Sequence, residues 1–323
     1  FGVEPEYGLS VMRPGQDLTG VTTAILEGMG PVLEEFEPDW VLVHGDTTTT
    51  FAASLAAYYR QRRVAHVEAG LRTGDRYSPW PEEMNRRLAG ALAERHFAPT
   101  DGARANLLRE GVAEGDIEVT GNTVVDALFG VVERLRGDSE LERSCREAVG
   151  TLASDRRLVL VTGHRRESFG EGFRSLCEGL RRLADRGDVE VVYPVHLNPN
   201  VQGPVHEMLG EHPAVRLIEP LDYLPFVWLL DQAELIITES GGIQEEAPSL
   251  GKPVLVTRDT TERPEAVQAG TVRLVGTDAD RIEAEAARLL DDHEAYKAMA
   301  RAHNPYGDGH AAERIVENMT RVQ

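Results

Sequence analysis

Short apolar runs alternate with longer amphipathic stretches along most of the chain. In the first half, apolar runs at 40–43 and 64–67 are followed by helical patterns at about 48–62 and 81–95. In the second half, apolar runs recur at 158–161, 189–192, 215–218, 235–237 and 254–256. A short buried strand followed by an amphipathic helix, repeated many times, is typical of βα units with parallel strands. The pattern therefore predicts an α/β protein.

The spacing of these units indicates two domains. Between residues 137 and 157 the apolar pattern thins and charged residues dominate, which is typical of a crossing between domains. We predict one Rossmann-like domain over 1–150 and a second over 151–303, with a C-terminal helix in 304–323 packing back on the first. Two such domains facing a central cleft would place their post-strand loops, where open α/β sheets bind ligands, in that cleft.

Composition favours a globular protein without a membrane or nucleic-acid partner. Of the 323 residues, 41% are hydrophobic and 27% charged, as in packed globular domains. There is neither an apolar run of about 18 residues nor a signal-peptide pattern, so we expect a cytoplasmic protein with no membrane partner. Cys145 and Cys177 lack metal-ligand spacing and are predicted to be free thiols. The formal charge of -20 repels nucleic acid, so we expect no nucleic-acid partner.

The common cofactor and metal motifs are absent from the sequence. Neither of its two lysines, Lys252 and Lys297, has a tyrosine four positions earlier, so there is no YxxxK pair for NAD-dependent sugar oxidation. Lys252 precedes a proline, which excludes a GK[ST] phosphate loop, and His206 does not begin an HExxH motif. We therefore expect neither a cofactor nor a metal.

Carboxylates mark the ends of predicted strands in the first half. Asp46 follows the first strand, Glu68 follows the second, and Glu82 begins a helix that carries Arg86 one turn later. Each has a purely structural alternative: Asp46 as a helix N-cap, Glu68 as an ion-pair partner of Arg72, and Glu82 with Arg86 as an i,i+4 pair. Three carboxylates and an arginine at one sheet edge favour acid–base chemistry.

Two loops of the second half are candidates for binding a diphosphate. The loop at 163–170 follows a strand and gathers His164 and two arginines. In the segment 238–246 a strand ends in small residues that open a helix, where backbone amides can receive phosphate; these are Ser240, Gly241 and Gly242. Glu246 lies one turn later, either as an acceptor for ribose hydroxyls or as a solvated first-turn glutamate.

Six segments in order carry a close resemblance to a known family. They read VHGDTTTT at 43–50, HVEAGLRTGDRYSPWPEEMNR at 66–86, VTGHRRESFG at 161–170, YPVHLNPN at 193–200, ESGGIQEEAPSLGKPV at 239–254 and RDTTERPEA at 258–266. From about residue 10 to the tail the chain resembles the non-hydrolysing UDP-N-acetylglucosamine 2-epimerases. The resemblance implies a GT-B fold and the interconversion of UDP-N-acetylglucosamine and UDP-N-acetylmannosamine, without a redox cofactor. It also implies anti elimination of UDP to 2-acetamidoglucal and re-addition of UDP.

The resemblance also implies roles for individual residues. The acid and base groups correspond to Asp46, Glu68 and Glu82, with Arg86 orienting them or neutralising charge nearby; which carboxylate plays which part stays open. The remaining residues implied to bind the UDP-sugar, with His164 also assisting UDP departure, are His164, Leu221, Phe226, Ser240, Gly241, Gly242, Glu246 and Arg263. Glu246 corresponds to a ribose contact and Phe226 to the uracil side, while Leu221 stands where some relatives have glutamine.

Other family features leave alternatives open. His196 matches a residue implicated in a second, regulatory site, or is a structural loop histidine. A homodimer is expected from the family. Family members open with a strand and a GTRPE-type loop that this sequence lacks, so we expect that an isolated chain could be inactive. The competing functions are a GT-B glycosyltransferase with a UDP-sugar donor, a hydrolysing epimerase, and a catalytically silent UDP-sugar-binding protein.

Overall fold

The computed structural model describes residues 2–13, 15–163 and 170–321. The chain forms two compact units. The first comprises Phe1–Thr123 together with His310–Gln323, and the second comprises Val124–Gly309. Within the described ranges, no helix combines the length and the apolar character needed to cross a bilayer.

The first unit contains a four-stranded sheet in which β1, β2, β3 and β4 lie side by side in that order, all parallel. Strand β1, at one edge of this sheet, exposes 51% of Leu42. The elements run in the order α1 (Leu18–Phe36), β1 (Trp40–His44), α2 (Thr48–Tyr59), β2 (Arg63–Val67), α3 (Glu82–Leu92), β3 (Arg95–Ala98), α4 (Asp101–Arg109), a 3-10 turn (Glu114–Asp116) and β4 (Ile117–Val119).

The second unit contains a six-stranded parallel sheet in the order β10-β9-β8-β5-β6-β7. The chain runs outward from β5 to β7, returns to the middle at β8 and runs outward again, so the switch point lies between β5 and β8. Its elements are α5 (Thr123–Gly137), α6 (Ser139–Val149), β5 (Arg157–Thr162), α7 (Glu171–Ala184), β6 (Val189–Pro194), α8 (Pro199–Leu209), β7 (Val215–Ile218), α9 (Tyr223–Gln232), β8 (Leu235–Thr238), α10 (Ile243–Ser249), β9 (Val254–Val256), α11 (Pro264–Ala269), β10 (Val272–Leu274), α12 (Ala279–Asp291) and α13 (His293–Ala300).

The last helix, α14 (Ala311–Arg321), belongs to the first unit. Ile315 on this helix packs in a core cluster with Ala65, Val67 and Phe97. Arg314 adds a hydrogen bond of 2.9 Å from Nη1 to the carbonyl oxygen of Thr120. An apolar contact and a hydrogen bond from a side chain to a backbone carbonyl thus hold α14 to the first unit.

The unit boundary differs from the one suggested by the sequence. The charge-rich stretch read as a crossing at 137–157 contains α6, which the structure groups with the second unit. Cys145 and Val149 on α6 are buried, and the helix packs against α9. The charged residues that suggested a linker are the solvent-exposed face of an amphipathic helix.

The apolar runs form strands where the sequence predicted them, and the α/β class with two parallel-sheet units is confirmed. In β5 the residues 158–161 are all buried, as expected for a parallel strand covered on both faces. The pattern missed α1, β3 and β10. It extended the helix that begins at Glu82 to about 95, whereas α3 ends at Leu92 and β3 begins at Arg95. Strand β3 begins with a charged residue followed by a histidine, so it lacks an apolar run.

Candidate functional site

Arg86 lies between two of the predicted acid–base residues in the first unit. Its Nη2 atom is 2.8 Å from Oδ2 of Asp46 and 2.5 Å from Oε1 of Glu68. Arg86 is buried, and the two carboxylates come from the loops that follow β1 and β2. The carboxyl ends of neighbouring parallel strands meet at one sheet edge, which is why two acids 22 positions apart share one guanidinium nitrogen.

The loop that carries Asp46 is fixed by backbone hydrogen bonds on both sides of this residue. The ring Nε2 of His66 lies 2.8 Å from the carbonyl oxygen of Gly45, and the side-chain amide of Asn85 donates to the carbonyl oxygen of Asp46 at 3.0 Å. Burial lowers the pKa of His66 to about 3, so at neutral pH the ring is uncharged and donates from Nε2. Gly45 adopts a φ of 71°, which favours glycine.

Glu68 lies in a backbone conformation that side-chain-bearing residues rarely adopt, with a φ of 62° at the end of β2. Its Oε2 accepts a hydrogen bond from Nδ2 of Asn122 at 3.3 Å and lies 3.8 Å from Nε2 of His44. Such strain persists only where surrounding contacts hold it, and it is often found at functional sites. The side chains that hold Glu68 here include Asn122, His44 and Arg86.

The two acids that begin α3 differ in their surroundings. Glu83 is buried, and its carboxylate accepts hydrogen bonds from the backbone amides of Thr73 and Gly74 at 3.0 and 3.3 Å. Glu82 has a buried oxygen, Oε2, with no hydrogen-bond partner among the described residues. The carboxylate of Glu83 therefore anchors the loop before the helix, whereas no described residue donates a hydrogen bond to Oε2 of Glu82.

The structural alternatives for these acids do not match their contacts. Arg72 pairs with Glu110 through two hydrogen bonds of 2.9 and 2.7 Å rather than with Glu68. Thr47, not Asp46, caps α2 by accepting from the amide of Thr50. Among the described residues, Arg86 pairs with Asp46 and Glu68 instead of with Glu82. The structure thus has contacts between different elements in place of the pairs of near neighbours in sequence that the spacing allowed.

In the second unit, the ends of β5 and β8 meet at the topological switch point. The hydroxyl oxygens of Thr162 and Thr238 are 2.6 Å apart, and the hydroxyl of Tyr193 donates to the carbonyl oxygen of Gly163 at 2.8 Å. The Ser240 amide donates to the hydroxyl of Thr238 at 2.9 Å. His164, predicted to assist departure of UDP, lies outside the described residues. The switch point is where ligands of open α/β sheets bind.

Arg263 lies against the segment that follows β8. Its Nη1 is 2.7 Å from Oε1 of Glu262, and its Nε donates to Oε1 of Glu245. A Cβ atom on Gly241 would lie 2.3 Å from Arg263 Nη1, so this close approach requires glycine. Two carboxylates fix the guanidinium and offset its charge. Helix α10, which begins just beyond Gly242, has only seven residues.

The remaining predicted residues of the second unit lie on or before α9 and α10, apart from one loop histidine. Glu246 on α10 is buried and accepts a hydrogen bond from the hydroxyl of Tyr223, the first residue of α9, at 2.6 Å. Phe226 lies one helical turn after Tyr223, and Leu221 lies just before the helix; both are partly buried. His196 is exposed, and its Nδ1 accepts from the amide of Asn198 at 3.1 Å.

Sequence reasoning did not assign roles to the side chains that hold the predicted ones. Asn85 and His66 lie within the segment 66–86 that carried the resemblance, but their partners are backbone atoms of a different loop. Tyr223 lies 23 positions from Glu246, and no local sequence pattern indicates that the two side chains are in contact. In the ranges that the structure describes, no group of three or more His, Cys, Asp or Glu side chains is arranged to hold a metal ion.

The fold and these contacts define an α/β protein with two Rossmann-like units, one with a carboxylate–arginine cluster and the other with a doubly wound sheet. The family model described as UDP-N-acetylglucosamine 2-epimerase matches residues 1–320. The chain is 60% identical over 318 residues to the UDP-N-acetylglucosamine 2-epimerase of Escherichia coli K12, covering 98% of this chain and 85% of that protein. The chain belongs to the UDP-N-acetylglucosamine 2-epimerase family.

Two solved structures are similar over nearly the whole chain. The UDP-GlcNAc 2-epimerase from Neisseria meningitidis, bound to UDP-GlcNAc, matches with a TM-score of 0.94 at 49% identity, covering 99% of this chain and 86% of that one. The enzyme from Methanocaldococcus jannaschii, in complex with UDP-GlcNAc and UDP, matches with a TM-score of 0.84 at 34% identity, covering 99% and 85%. The GT-B fold type expected from the resemblance agrees with these neighbours.

Proposed function

We propose that this protein interconverts UDP-N-acetylglucosamine and UDP-N-acetylmannosamine by inverting C2 of the sugar, without hydrolysing the sugar–UDP bond. The observation that carries the proposal is the Arg86 guanidinium shared by Asp46 and Glu68, in a chain of this family. Proton removal from C2 and its return to the opposite face require more than one acid–base group. Two carboxylates held by one buried cation, with Glu82 on the same helix as that cation, meet this requirement.

In the proposed reaction a carboxylate removes the C2 proton while the C1–O bond breaks and its electron pair leaves with UDP. A C1=C2 double bond forms, giving 2-acetamidoglucal. An oxygen of UDP then adds to C1, and an acid delivers a proton to the opposite face of C2. The chemistry needs no redox cofactor, because no net oxidation occurs.

The proposal divides substrate contacts by chemistry. Asp46, Glu68, Glu82 and Arg86 act on the sugar, and Glu246 binds the ribose. The residues proposed to bind the rest of UDP are His164, Leu221, Phe226, Ser240, Gly241, Gly242 and Arg263. Two elements support this division: the sheet switch point lies beside Ser240, and the fixed Arg263 guanidinium packs on Gly241. His196 stays proposed as part of a regulatory site.

The test is proton NMR of the protein with UDP-N-acetylglucosamine in D₂O. Appearance of UDP-N-acetylmannosamine with deuterium at C2 is the expected result. Release of free N-acetylmannosamine would instead identify a hydrolysing enzyme, and binding without any turnover would identify a silent UDP-sugar-binding protein. Either outcome would overturn the proposal.

The same experiment assigns the carboxylates. Asp46→Asn, Glu68→Gln and Glu82→Gln keep side-chain shape while removing the acid–base group, and each is expected to lower the turnover number by about 100-fold or more. The exposed Asp101→Asn, on the first turn of α4, is the matched control and should retain activity. Comparing C2 deuterium uptake from each sugar epimer would show which carboxylate serves each face.

We further propose that the protein works in the cytoplasm as a homodimer. Its two cysteines, Cys145 and Cys177, are unpaired and buried, which fits a reducing compartment. The dimer is tested by light scattering of the purified protein at micromolar concentration.

A further inference from the structure

The contact between Tyr223 and Glu246 joins two helices on the nucleotide side of the second unit. The Tyr223 hydroxyl donates to Oε1 of Glu246 at 2.6 Å, a charge-assisted hydrogen bond with a short distance. Tyr223 begins α9, and Glu246 lies in the first turn of α10. Because α9 and α10 are separate elements, this contact fixes the Glu246 carboxylate relative to a neighbouring helix and not only to its own.

Because Glu246 is buried, loss of the hydrogen bond from Tyr223 would destabilise its ionised carboxylate. Glu246 is only 6% exposed, and burial raises the pKa of its carboxyl group, while the hydrogen bond from Tyr223 lowers it. Among the described residues, Tyr223 supplies the side-chain hydrogen bond to this carboxylate. A buried carboxylate without a donor is expensive. Loss of the Tyr223 hydroxyl would therefore leave Glu246 less ionised and less well oriented.

The position of Tyr223 also relates Glu246 to the predicted uracil contact. Phe226 follows Tyr223 by three residues on α9, so the two side chains project from the same helical face. The carboxylate of Glu246 turns back toward the start of α10, where its Oε2 lies 3.8 Å from the place a Cβ atom on Gly242 would take. One oxygen is bonded to Tyr223, and the second is directed toward the segment proposed to contact UDP.

We propose that Tyr223 is a specificity-determining positioning residue, which orients the Glu246 carboxylate so that it accepts from the vicinal hydroxyls of a ribonucleoside diphosphate and disfavours the 2′-deoxy form. A carboxylate fixed by one donor can accept two neighbouring hydroxyl donors, whereas a 2′-deoxyribose leaves one acceptor position unsatisfied in a buried site. The inference deepens the proposed function, since it rests on Glu246 as the ribose contact.

The test compares the binding of UDP and of 2′-deoxyuridine 5′-diphosphate by isothermal titration calorimetry. We expect the wild-type protein to bind UDP about tenfold more tightly than the 2′-deoxy form, and Tyr223→Phe to reduce this ratio to about threefold or less. With UDP-N-acetylglucosamine as substrate, Tyr223→Phe should raise KM while leaving kcat within about twofold, because the hydroxyl acts on ground-state binding.

Two further variants separate positioning from general damage. Tyr296→Phe removes the hydroxyl of another half-buried tyrosine, on α13, and should leave both affinities unchanged. Glu246→Gln should lower the same UDP to 2′-deoxy-UDP ratio, and the double variant with Tyr223→Phe should lower it no further, because both changes act through one carboxylate.

Wild-type protein that binds the two nucleotides equally would overturn the inference, and so would Tyr223→Phe with an unchanged ratio. The wild-type comparison needs no variant and tests the ribose preference, while the role of Tyr223 itself is tested by Tyr223→Phe, which removes only the hydroxyl and keeps the ring. A protein that discriminates the nucleotides but fails to epimerise UDP-N-acetylglucosamine would refute the proposed reaction and leave the role of Tyr223 intact.

Discussion

At the scale of single residues, Arg86 determines the electrostatics of the first unit's site. Its side chain is 4% exposed, and one of its nitrogens contacts both Asp46 and Glu68. Two carboxylates brought this close would repel each other without a cation between them. The guanidinium stabilises both anions while its planar shape limits where each can lie.

Replacing Arg86 with methionine should therefore damage both stability and catalysis. Removing one partner of a buried ion pair leaves uncompensated charge, and we expect a loss of about 3 kcal/mol in the free energy of unfolding. We expect epimerase activity to fall about 100-fold or more, because the carboxylates shift from their positions. Urea denaturation and the NMR assay measure the two effects.

The neighbouring Arg87 provides the matched control. Its side chain is 38% exposed and pairs with Glu110, so Arg87→Met should cost less than about 1 kcal/mol and leave activity intact. Adding Glu68→Gln to Arg86→Met should restore part of the lost stability, because it removes one of the two repelling charges. If Arg86→Met and Arg87→Met had equal stability and equal activity, the contact of Arg86 with Asp46 and Glu68 would be unimportant.

At the scale of elements, strands β2 and β3 pair two buried histidines. His66 and His96 face each other in the register of these strands. Burial lowers the pKa of His66 to about 3 and that of His96 to about 4. Both rings are neutral in the folded protein at pH 7, so the strands carry polar groups in the core without carrying charge.

This arrangement predicts that acid destabilises the first unit. The unfolded chain binds protons on these histidines as pH falls through about 6.5, whereas the folded protein does not until about 4 for His96 and 3 for His66. The unfolded state therefore binds more protons in this window, and the free energy of unfolding falls as pH drops from about 6.5 to 3. At about 1.36 kcal/mol per pKa unit, this fall in the free energy of unfolding reaches about 3 kcal/mol for His96 and about 5 kcal/mol for His66.

Urea denaturation at a series of pH values checks this prediction. His96→Gln removes one titrating ring while keeping a side-chain hydrogen-bond donor, and it should flatten the decline between pH 6.5 and 4 by up to about 3 kcal/mol. The exposed His293→Gln, on α13, should leave the pH dependence as it is in the wild-type protein. If the free energy of unfolding of His96→Gln fell with pH as steeply as that of the wild-type protein, the decline could not be attributed to His96.

At the scale of the whole molecule, the order of elements along the chain differs from their grouping in space. The first unit is built from the start of the chain and from α14 at its end, and the second unit is continuous. In the second unit the strand order 10-9-8-5-6-7 creates the switch point beside which Ser240 and Gly241 lie. The stability of the first unit therefore depends on residues more than 180 positions beyond its own last strand.

The neighbouring residues Ile315 and Val316 test this dependence. Ile315 is buried against Ala65, Val67 and Phe97, and Ile315→Ala should destabilise the first unit by about 2–4 kcal/mol. Val316 is 61% exposed, and Val316→Ala should change stability by no more than about 0.5 kcal/mol. Thermal denaturation of the two variants measures the difference; a similar cost for both would mean that α14 does not support the core.

The sequence by itself determined the class of fold and the strand ends at which the candidate site lies. Alternating apolar runs and amphipathic stretches fix local periodicity, and a polar residue just after an apolar run must lie at the carboxyl end of a strand. This is why Asp46 and Glu68 could be singled out, and why most strands were placed correctly. Elements without an apolar run, such as β3, gave no such signal.

Only the tertiary structure decided which side chains contact one another. The pairs Arg86–Asp46 and Tyr223–Glu246 join elements 40 and 23 positions apart, whereas sequence spacing offered Glu82 or Arg72 as local partners. It also decided that α6 belongs to the second unit, because burial of Cys145 and Val149 outweighs the charged appearance of that stretch. Periodicity constrains one element at a time, while ion pairs and packing depend on distances between elements, which no local pattern contains.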